Sequence, residues 1–219
     1  GEQVLSQGAA LTINGGELDL GGQFTNAVLS LALNSGTIRQ GTLAAGTYLL
    51  SSGAISSVLA GTGSLAKVGD GTVVLSGQNT YTGETRVLGG RLVLGGEQVL
   101  SETSALTVRN AALDLGGAFT NKVAALTLDG GLLSNGTLEA GSMLVSTGTV
   151  ATALAGTGAL TKTGAGEVVL QVAATYTGGT DLAAGVLRLA GEQFLAASGS
   201  LSIATGGTLD LGGYATSTG

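Results

Sequence analysis

Short runs in which apolar and polar residues alternate recur along the whole chain. Examples lie at residues 10–14, 17–20, 72–76 and 91–94, and each run is bounded by Gly, Gly-Gly, Asn-Gly or Asp-Gly. Alternation with a period of two places the apolar side chains on one face of an extended strand, and these dipeptides are typical of turns. No segment repeats apolar residues with helical spacing behind a cap, so the pattern predicts short strands and little helix.

These strand-like runs belong to a long internal repeat. The segment Gly-Glu-Gln-Val-Leu at residues 1–5 returns at 96–100, and Gly-Glu-Gln-Phe-Leu follows at 191–195, so the spacing is 95 residues both times. Residues 1–95 align with 96–190 without a gap, and 49 of the 95 pairs are identical. We therefore predict unit 1 at 1–95, unit 2 at 96–190 and a partial unit 3 at 191–219, all within one continuous structure.

This repeat predicts a solenoid better than a sandwich or a barrel. The 95-residue unit divides into four or five coils of about 19–24 residues, the range in which one circuit of short strands closes. Stacked coils place like residues above like, so that Leu, Val and Ile form a narrow core. The 41 glycines suit coil corners, because many corners need a positive φ. The predicted fold is an all-β parallel β-helix (β-solenoid), a rod about 50 Å long.

The composition narrows the functional classes. The chain has no Cys, His, Pro or Trp, and 8 basic against 14 acidic residues give a formal charge of −6. A net negative charge leaves no electrostatic footprint for nucleic acid or anionic lipid, so we expect neither partner. Without His or Cys the usual nucleophile–base triads are excluded. A Ser-Lys dyad with Lys67 or Lys162 stays formally possible, but we expect these lysines at solvent-facing coil positions.

A specific motif occurs once in each complete unit. Residues 61–96 read GTGSLAKVGDGTVVLSGQNTYTGETRVLGGRLVLGG, and residues 156–180 read GTGALTKTGAGEVVLQVAATYTGGT. This text closely resembles the passenger-associated transport repeat of bacterial autotransporters. The matching residues of the first copy are Gly61, Gly63, Leu65, Lys67, Gly69, Asp70, Gly71, Asn79, Tyr81 and Gly83. Those of the second copy are Gly156, Gly158, Lys162, Gly164, Gly166, Tyr176 and Gly178.

The resemblance implies a right-handed parallel β-helix that is secreted or exposed on the surface of a Gram-negative bacterium. It also implies export by a C-terminal translocating barrel outside this chain. The second copy has Ala165 in place of Asp70 and Ala174 in place of Asn79. Because a ligand site would not lose its ligands within one repeat, we interpret these motif residues as structural turn residues.

Four further features offer candidate sites. The sequence Leu-Asp-Leu-Gly-Gly recurs with its aspartate at Asp19, Asp114 and Asp210. These carboxylates could bind calcium along the stack or could be turn or strand-edge residues, and we favour the second interpretation. Asn135 begins an Asn-Gly-Thr glycosylation sequence that also reads as a β-turn, which we favour. Tyr81 and its counterpart in the second motif predict packing over a coil corner, with an aromatic platform for sugars or partner chains as the alternative.

The leading hypothesis is therefore a structural or adhesive stalk that mediates adhesion, self-association or display. The chain itself, end to end or laterally, and host or cell-surface molecules are the expected partners. We expect no enzymatic activity, cofactor or metal, and no membrane insertion by this segment, with export elements outside it. Two alternatives stay open, namely a structural subunit of an extracellular filament or sheath, and a secreted effector or toxin passenger.

Overall fold

The computed structural model describes residues 5–22, 24–191, 195 and 199–213, and these residues form strands and turns without any helix. The segments that open the predicted units 1 and 3 therefore lie largely outside the described residues, at 1–4 and 192–194. The strands of the described chain are β1 (Ala10–Asp19), β2 (Thr25–Val28), β3 (Ser30–Arg39), β4 (Thr42–Ala45), β5 (Thr47–Leu50), β6 (Gly53–Ile55), β7 (Val58–Ala60), β8 (Ser64–Lys67), β9 (Thr72–Leu75), β10 (Thr85–Val87), β11 (Arg91–Leu94), β12 (Ala105–Asp114), β13 (Thr120–Val123), β14 (Ala125–Ala140), β15 (Met143–Ala155), β16 (Leu160–Lys162), β17 (Glu167–Leu170), β18 (Thr180–Leu182), β19 (Gly185–Leu189), β20 (Leu201–Ile203) and β21 (Gly207–Asp210).

The strands stack on three faces, and all pairings among the described strands are parallel. On the first face, Leu11 of β1 pairs with Leu31 of β3, which pairs with Tyr48 of β5. On the second face, Leu18 pairs with Ile38. The third face consists of β2, β4 and β7 in unit 1, and of β13 with the ends of β14 and β15 in unit 2. The predicted parallel β-solenoid is thus confirmed.

The first face also gives the length of every coil. Its inward-facing column contains one residue per coil, namely Leu11, Leu31, Tyr48, Leu65, Thr85, Leu106, Leu126, Met143, Leu160, Thr180 and Leu201. Neighbours are 20, 17, 17, 20 and 21 residues apart, and the same five steps repeat from Leu106. One 95-residue period is therefore five coils.

The expected coil length of about 19–24 residues is wrong for two of the five coils, which have only 17 residues. These short coils turn their corners with very few residues, and Gly46 alone separates β4 from β5. The longer coils spend more residues on turns, such as the four residues 68–71 between β8 and β9. Because a corner of one residue is shorter than a typical four-residue turn, a coil with such corners needs fewer residues to close.

The longest strands bend around a corner and serve two faces. β1 pairs with β3 along both the first and the second face, with register shifts between Ile13 and Asn14 and between Asn14 and Glu17. Gly15 and Gly16 lie within that irregularity with φ of 134° and 78°, a conformation that costs little only for glycine. The bulge therefore turns the backbone without ending the strand.

The interior is the narrow aliphatic core that the alternation predicts. Inward-facing leucines such as Leu50, Leu92, Leu113 and Leu187 have no solvent-accessible surface. Full burial of such a side chain contributes about 1.5–3 kcal/mol. Each coil is too thin to bury these residues alone, so this contribution exists only when neighbouring coils stack.

Candidate functional site

The lysine of each repeat motif points into the solenoid. β8 alternates exposed Ser64, buried Leu65, half-buried Ala66 and buried Lys67, so the lysine shares the inward face with the leucine. Lys67 and its counterpart Lys162 have no solvent-accessible surface. Their aliphatic stems therefore occupy the core, and their ammonium groups reach the corner that follows the strand.

Backbone carbonyl oxygens surround each ammonium group. Lys67 Nζ donates to the carbonyl oxygens of Val68 at 2.7 Å, Gly69 at 2.9 Å and Gly89 at 2.9 Å. Gly89 belongs to the next coil, so this carbonyl cage joins two layers. The counterpart in unit 2 donates to Thr163 at 2.7 Å, Gly164 at 2.9 Å and Ala184 at 3.0 Å. An ammonium group has three hydrogens, and three acceptors satisfy all of them.

The expectation of solvent-facing lysines is therefore wrong. The period-two alternation of Ser-Leu-Ala-Lys already placed Lys67 in phase with Leu65, but charge suggested the opposite face. Burial lowers the pKa of Lys67, and the nearby carboxylate of Asp70 opposes that shift. Burial also lowers the pKa of Lys162, where Ala165 replaces the acid. Asp70 itself is exposed in the turn between β8 and β9.

The motif tyrosines lie in the core. Tyr81 and Tyr176 have no accessible surface, and their hydroxyl groups share hydrogen bonds with the hydroxyl groups of Thr85 at 2.5 Å and Thr180 at 2.6 Å. The ring centroid of Tyr81 lies 6.0 Å from that of Tyr48. Burial raises the pKa of Tyr48 and of Tyr81 to about 12 and also raises the pKa of Tyr176. A buried ring cannot form the aromatic platform that was considered.

Asn79 lies inside the solenoid, where it bridges three coils. Its Oδ1 accepts the amide hydrogen of Leu59 at 2.8 Å, and its Nδ2 donates to the carbonyl oxygen of Val99 at 2.8 Å. The amide of Val99 in turn donates to Oδ1 of Asn121 at 2.7 Å. The side-chain amide thus adds to the backbone hydrogen bonds between coils, such as that from Thr80 to Leu59 at 2.8 Å, on the third face, where this coil has no strand. Ala174 has no polar side-chain atom for the equivalent bridge.

This bridge was not predicted from the sequence, where Asn79 read as a turn residue. The sequence does contain an indication of it, because Phe-Thr-Asn occurs in both units, at residues 24–26 and 119–121, and places an asparagine at an equivalent position of each. Asn26 and Asn121 are buried, and Asn26 accepts the amide hydrogen of Leu5 at 3.2 Å. Buried amides at matching positions indicate a repeated cross-coil contact.

The motif glycines lie at corners of the coils. Several have a positive φ, namely Gly61, Gly69, Gly156 and Gly164. At the others a Cβ atom would be crowded by the preceding coil, as at Gly63, Gly71, Gly83, Gly158, Gly166 and Gly178. A Cβ at Gly83 would lie 2.5 Å from the carbonyl carbon of Gly63, directly below it. The corners therefore stack more closely than any side chain would allow.

The aspartates of Leu-Asp-Leu-Gly-Gly lie at turns and pair with arginines. Oδ1 of Asp19, Asp114 and Asp210 accepts the amide hydrogen of the glycine two residues later, at 2.9 Å in each case. Each also forms an ion pair with an arginine of a neighbouring coil, Arg39, Arg91 or Arg188. Single carboxylates engaged in this way do not form a calcium ladder.

Asn135 lies at a bend of β14 and is hydrogen-bonded to Asp114 of the preceding coil. It has a φ of 60°, and its Nδ2 donates to Asp114 Oδ1 at 2.8 Å. Burial alone would raise the pKa of Asp114, but hydrogen bonds from Asn135, Gly116 and Arg91 hold the pKa below its usual range. The favoured β-turn at Asn-Gly-Thr is therefore corrected to a bend within β14, because the register shifts between Ser134 and Thr137 while the strand continues.

The fold and these repeated internal contacts define a class of protein, namely a parallel β-solenoid built from tandem five-coil units. Residues 65–94 and 160–189 match the family model of the passenger-associated-transport-repeat. The chain is also 36% identical over 210 residues to the Adhesin BmaC autotransporter of Brucella suis biovar 1. That alignment covers 92% of this chain but 6% of the relative's length. No solved structure matches the chain significantly.

The chain thus carries two passenger-associated transport repeats and resembles a segment of an autotransporter passenger, which confirms the predicted resemblance. Such a passenger is secreted from a Gram-negative bacterium or exposed on its surface. The described residues include no helix that is long and apolar enough to span a membrane.

Proposed function

We propose that this chain is part of an adhesive surface stalk. The observation that carries the proposal is the unbroken parallel stacking of ten coil steps from Leu11 to Leu201, which makes a rod about 50 Å long. A rod of this kind holds surface away from the cell and exposes a long lateral flank. The similarity to a relative named as an adhesin supports attachment as the use of that flank.

The ionisable groups support a binding role better than catalysis. Both lysines that could serve as a base beside a serine donate all three ammonium hydrogens to carbonyl oxygens inside the solenoid. A base must hold an available lone pair within reach of the nucleophile. We therefore propose a non-enzymatic role, in which the charged groups of the interior hold coils together.

The proposal is tested by displaying residues 1–219 on a non-adherent Gram-negative host through a translocating barrel. The assay counts host bacteria bound to epithelial cells and to immobilised matrix proteins. We expect several-fold more binding than with the barrel alone. Equal binding by both strains would contradict the adhesive function.

The repeat offers a matched control for length. Deletion of residues 96–190 removes five whole coils, so the remaining coils stay in register and the fold is retained. A second variant that contains unit 1 twice restores the original length. Comparison of the deletion variant with the variant that contains unit 1 twice measures the effect of stalk length. Comparison of the latter with the original chain measures the effect of surface chemistry.

The isolated 219-residue chain has apolar side chains exposed on its last described coil. Leu201 and Ile203 are 49% and 50% exposed, whereas the equivalent Leu106 and Val108 are fully covered by the following coil. An exposed strand edge with apolar side chains is a template for pairing with another chain. We propose end-to-end association of the isolated chain, and a strictly monomeric chain at high concentration in analytical ultracentrifugation would refute it. Paired solenoids in images of cell-surface fibres would favour the filament alternative.

A further inference from the structure

A cleft in unit 2 lies at the corner that follows the first face. It has a volume of about 260 Å³, and its lining includes Arg109, Thr127, Asp129, Leu144, Ser146 and Thr163. These residues come from four successive coils, so only the stacked solenoid brings them together. Their side chains take no part in the lysine, tyrosine and asparagine contacts of the core, although the backbone carbonyl oxygen of Thr163 accepts a hydrogen bond from Lys162.

The two units differ in chemistry at this cleft while its framework is unchanged. Unit 1 has Asn14, Ala32, Asn34 and Val68 where unit 2 has arginine, threonine, aspartate and threonine. The leucine and the serine of the cleft are identical in both units, as Leu49 and Ser51 in unit 1. Every one of the four differences adds a charge or a hydroxyl group to unit 2. In unit 1 the corresponding Asn34 donates to Asn14 at 2.6 Å, so the same backbone corner carries a neutral amide pair in unit 1 and a charged pair in unit 2.

The polar groups of the cleft are held in a fixed arrangement. Arg109 Nε lies 3.0 Å from Asp129 Oδ2, and the Ser146 hydroxyl donates to Asp129 Oδ1 at 2.7 Å. The hydrogen bond from Ser146 and the charge of Arg109 hold the pKa of Asp129 below its usual range, so the carboxylate is ionised at neutral pH. The ion pair uses only Nε of the guanidinium group, and that side chain is 54% exposed. Its terminal nitrogens can donate to a ligand.

An apolar surface lies beside these polar groups. Leu144 is 44% exposed on the first face and lines the cleft, Thr127 pairs with it on the coil below, and Thr163 lies two residues beyond its partner Thr161 on the coil above. Threonine hydroxyls both donate and accept, so they adapt to either kind of partner. The cleft thus combines one apolar floor with a carboxylate, a guanidinium group and hydroxyl groups at its rim.

We propose that this cleft binds a single neutral sugar ring of a surface glycan. The C–H face of a pyranose packs on Leu144, while adjacent hydroxyl groups of the ring donate to Asp129 and accept from Arg109. The ligand is neutral because the arginine and the aspartate already cancel each other's charge. The cleft is smaller than the range of about 300–1,000 Å³ of pockets for drug-sized ligands, which suits one ring. This inference rests on the proposed adhesive function and names its ligand class.

The test titrates the ¹⁵N-labelled 219-residue chain with the methyl glycosides of galactose, glucose and mannose. We expect at least one of them to shift the amide signals of Thr127, Leu144 and Thr163, with a Kd on the order of 1 mM. The corresponding amides of Ala32 and Leu49 in unit 1 should not shift. Unit 1 is thus an internal control with the same backbone.

Two variants exchange the chemistry of the units. Arg109→Asn combined with Asp129→Asn copies unit 1 at exposed positions, so it preserves the fold while weakening sugar binding at least tenfold. The reciprocal variant combines four substitutions in unit 1, namely Asn14→Arg, Ala32→Thr, Asn34→Asp and Val68→Thr. It should gain sugar binding in unit 1. Unchanged amide signals elsewhere confirm that both variants are folded.

Several outcomes would overturn the inference. These are no shift with any of the three glycosides, equal shifts in both units, undiminished binding by the double asparagine variant, or a preference for N-acetylneuraminic acid over the neutral sugars. Adhesion by the displayed chain without any sugar binding would refute this ligand class and leave the adhesive function standing. Absence of adhesion would contradict the function itself, whatever the sugar titration showed.

Discussion

Replacement of Lys67 by Met tests whether the carbonyl cage stabilises the solenoid. Methionine keeps an unbranched apolar stem up to Cε but lacks the ammonium group with its three donors, so the carbonyl oxygens of Val68, Gly69 and Gly89 lose their partner. Exchange of a buried ion pair for apolar residues is often neutral, because both partners are replaced. Here the acceptors are backbone atoms and remain after the substitution.

The size of the effect follows from the three hydrogen bonds. Each bond from a charged donor contributes about 1.5–3 kcal/mol, and desolvation of the ammonium group costs several kcal/mol in the opposite direction. Water can reach part of the corner, since Gly69 is exposed. We therefore expect Lys67→Met to lower the free energy of unfolding by about 3 kcal/mol, and Lys162→Met to have a similar effect.

Native-state hydrogen exchange is the appropriate assay, because coils of a solenoid can open locally. The amides of Val68 and Leu88, which donate to Leu50 and Lys67 across coils at 2.8 Å, should lose protection before distant amides do. Lys122→Met is the control, since this lysine is exposed on the third face, and it should change stability by less than about 0.5 kcal/mol. Wild-type protection at both reporter amides in Lys67→Met would refute the stabilising role of the cage.

Three further predictions concern the core and the corners. Asn79→Ala leaves the amide of Leu59 unpaired and removes one of two donors to the Val99 carbonyl group, so it should cost about 2 kcal/mol in thermal or denaturant unfolding, whereas Ala174→Asn should be neutral or stabilising; equal effects of the two changes would count against the bridge. Gly83→Ala forces a Cβ atom against the coil below and should destabilise by about 3 kcal/mol in the same assay, and a neutral result would show that the corner can separate. Tyr48 and Tyr81 keep their protons to about pH 12 when folded but to about 10 when unfolded, so stability should fall above pH 10 by about 1.4 kcal/mol per pH unit for each; tyrosinate absorbance that reaches the value for all 4 tyrosines near pH 10 without loss of circular dichroism would contradict this.

Much of the fold was predictable because a solenoid repeats one local pattern. The alternation in segments such as residues 72–76, bounded by glycine turns, predicts strands without any knowledge of their partners. The gap-free 95-residue repeat then requires each unit to place equivalent residues in equivalent layers. Coil length was less predictable, because a corner as short as Gly46 leaves little signal in the sequence.

The roles of the polar motif residues were not predictable from residue type alone. Lysine and asparagine are usually exposed, so the sequence favoured turns and solvent for Lys67 and Asn79. Both lie inside because partners from neighbouring coils, such as the carbonyl groups of Gly89 and Val99, satisfy their polar atoms. Those partners are 22 and 20 residues away, and only the coil length brings them into contact.

The sequence by itself thus determined the period, the strands, the aliphatic core and the resemblance to passenger repeats, because each depends on local spacing. Only the tertiary structure decided which polar side chains bridge coils, and that a cleft joins residues of four layers around Leu144. The physical reason is that hydrogen bonds and ion pairs depend on distances between layers. Those distances follow from the stacking of whole coils, which no single segment specifies.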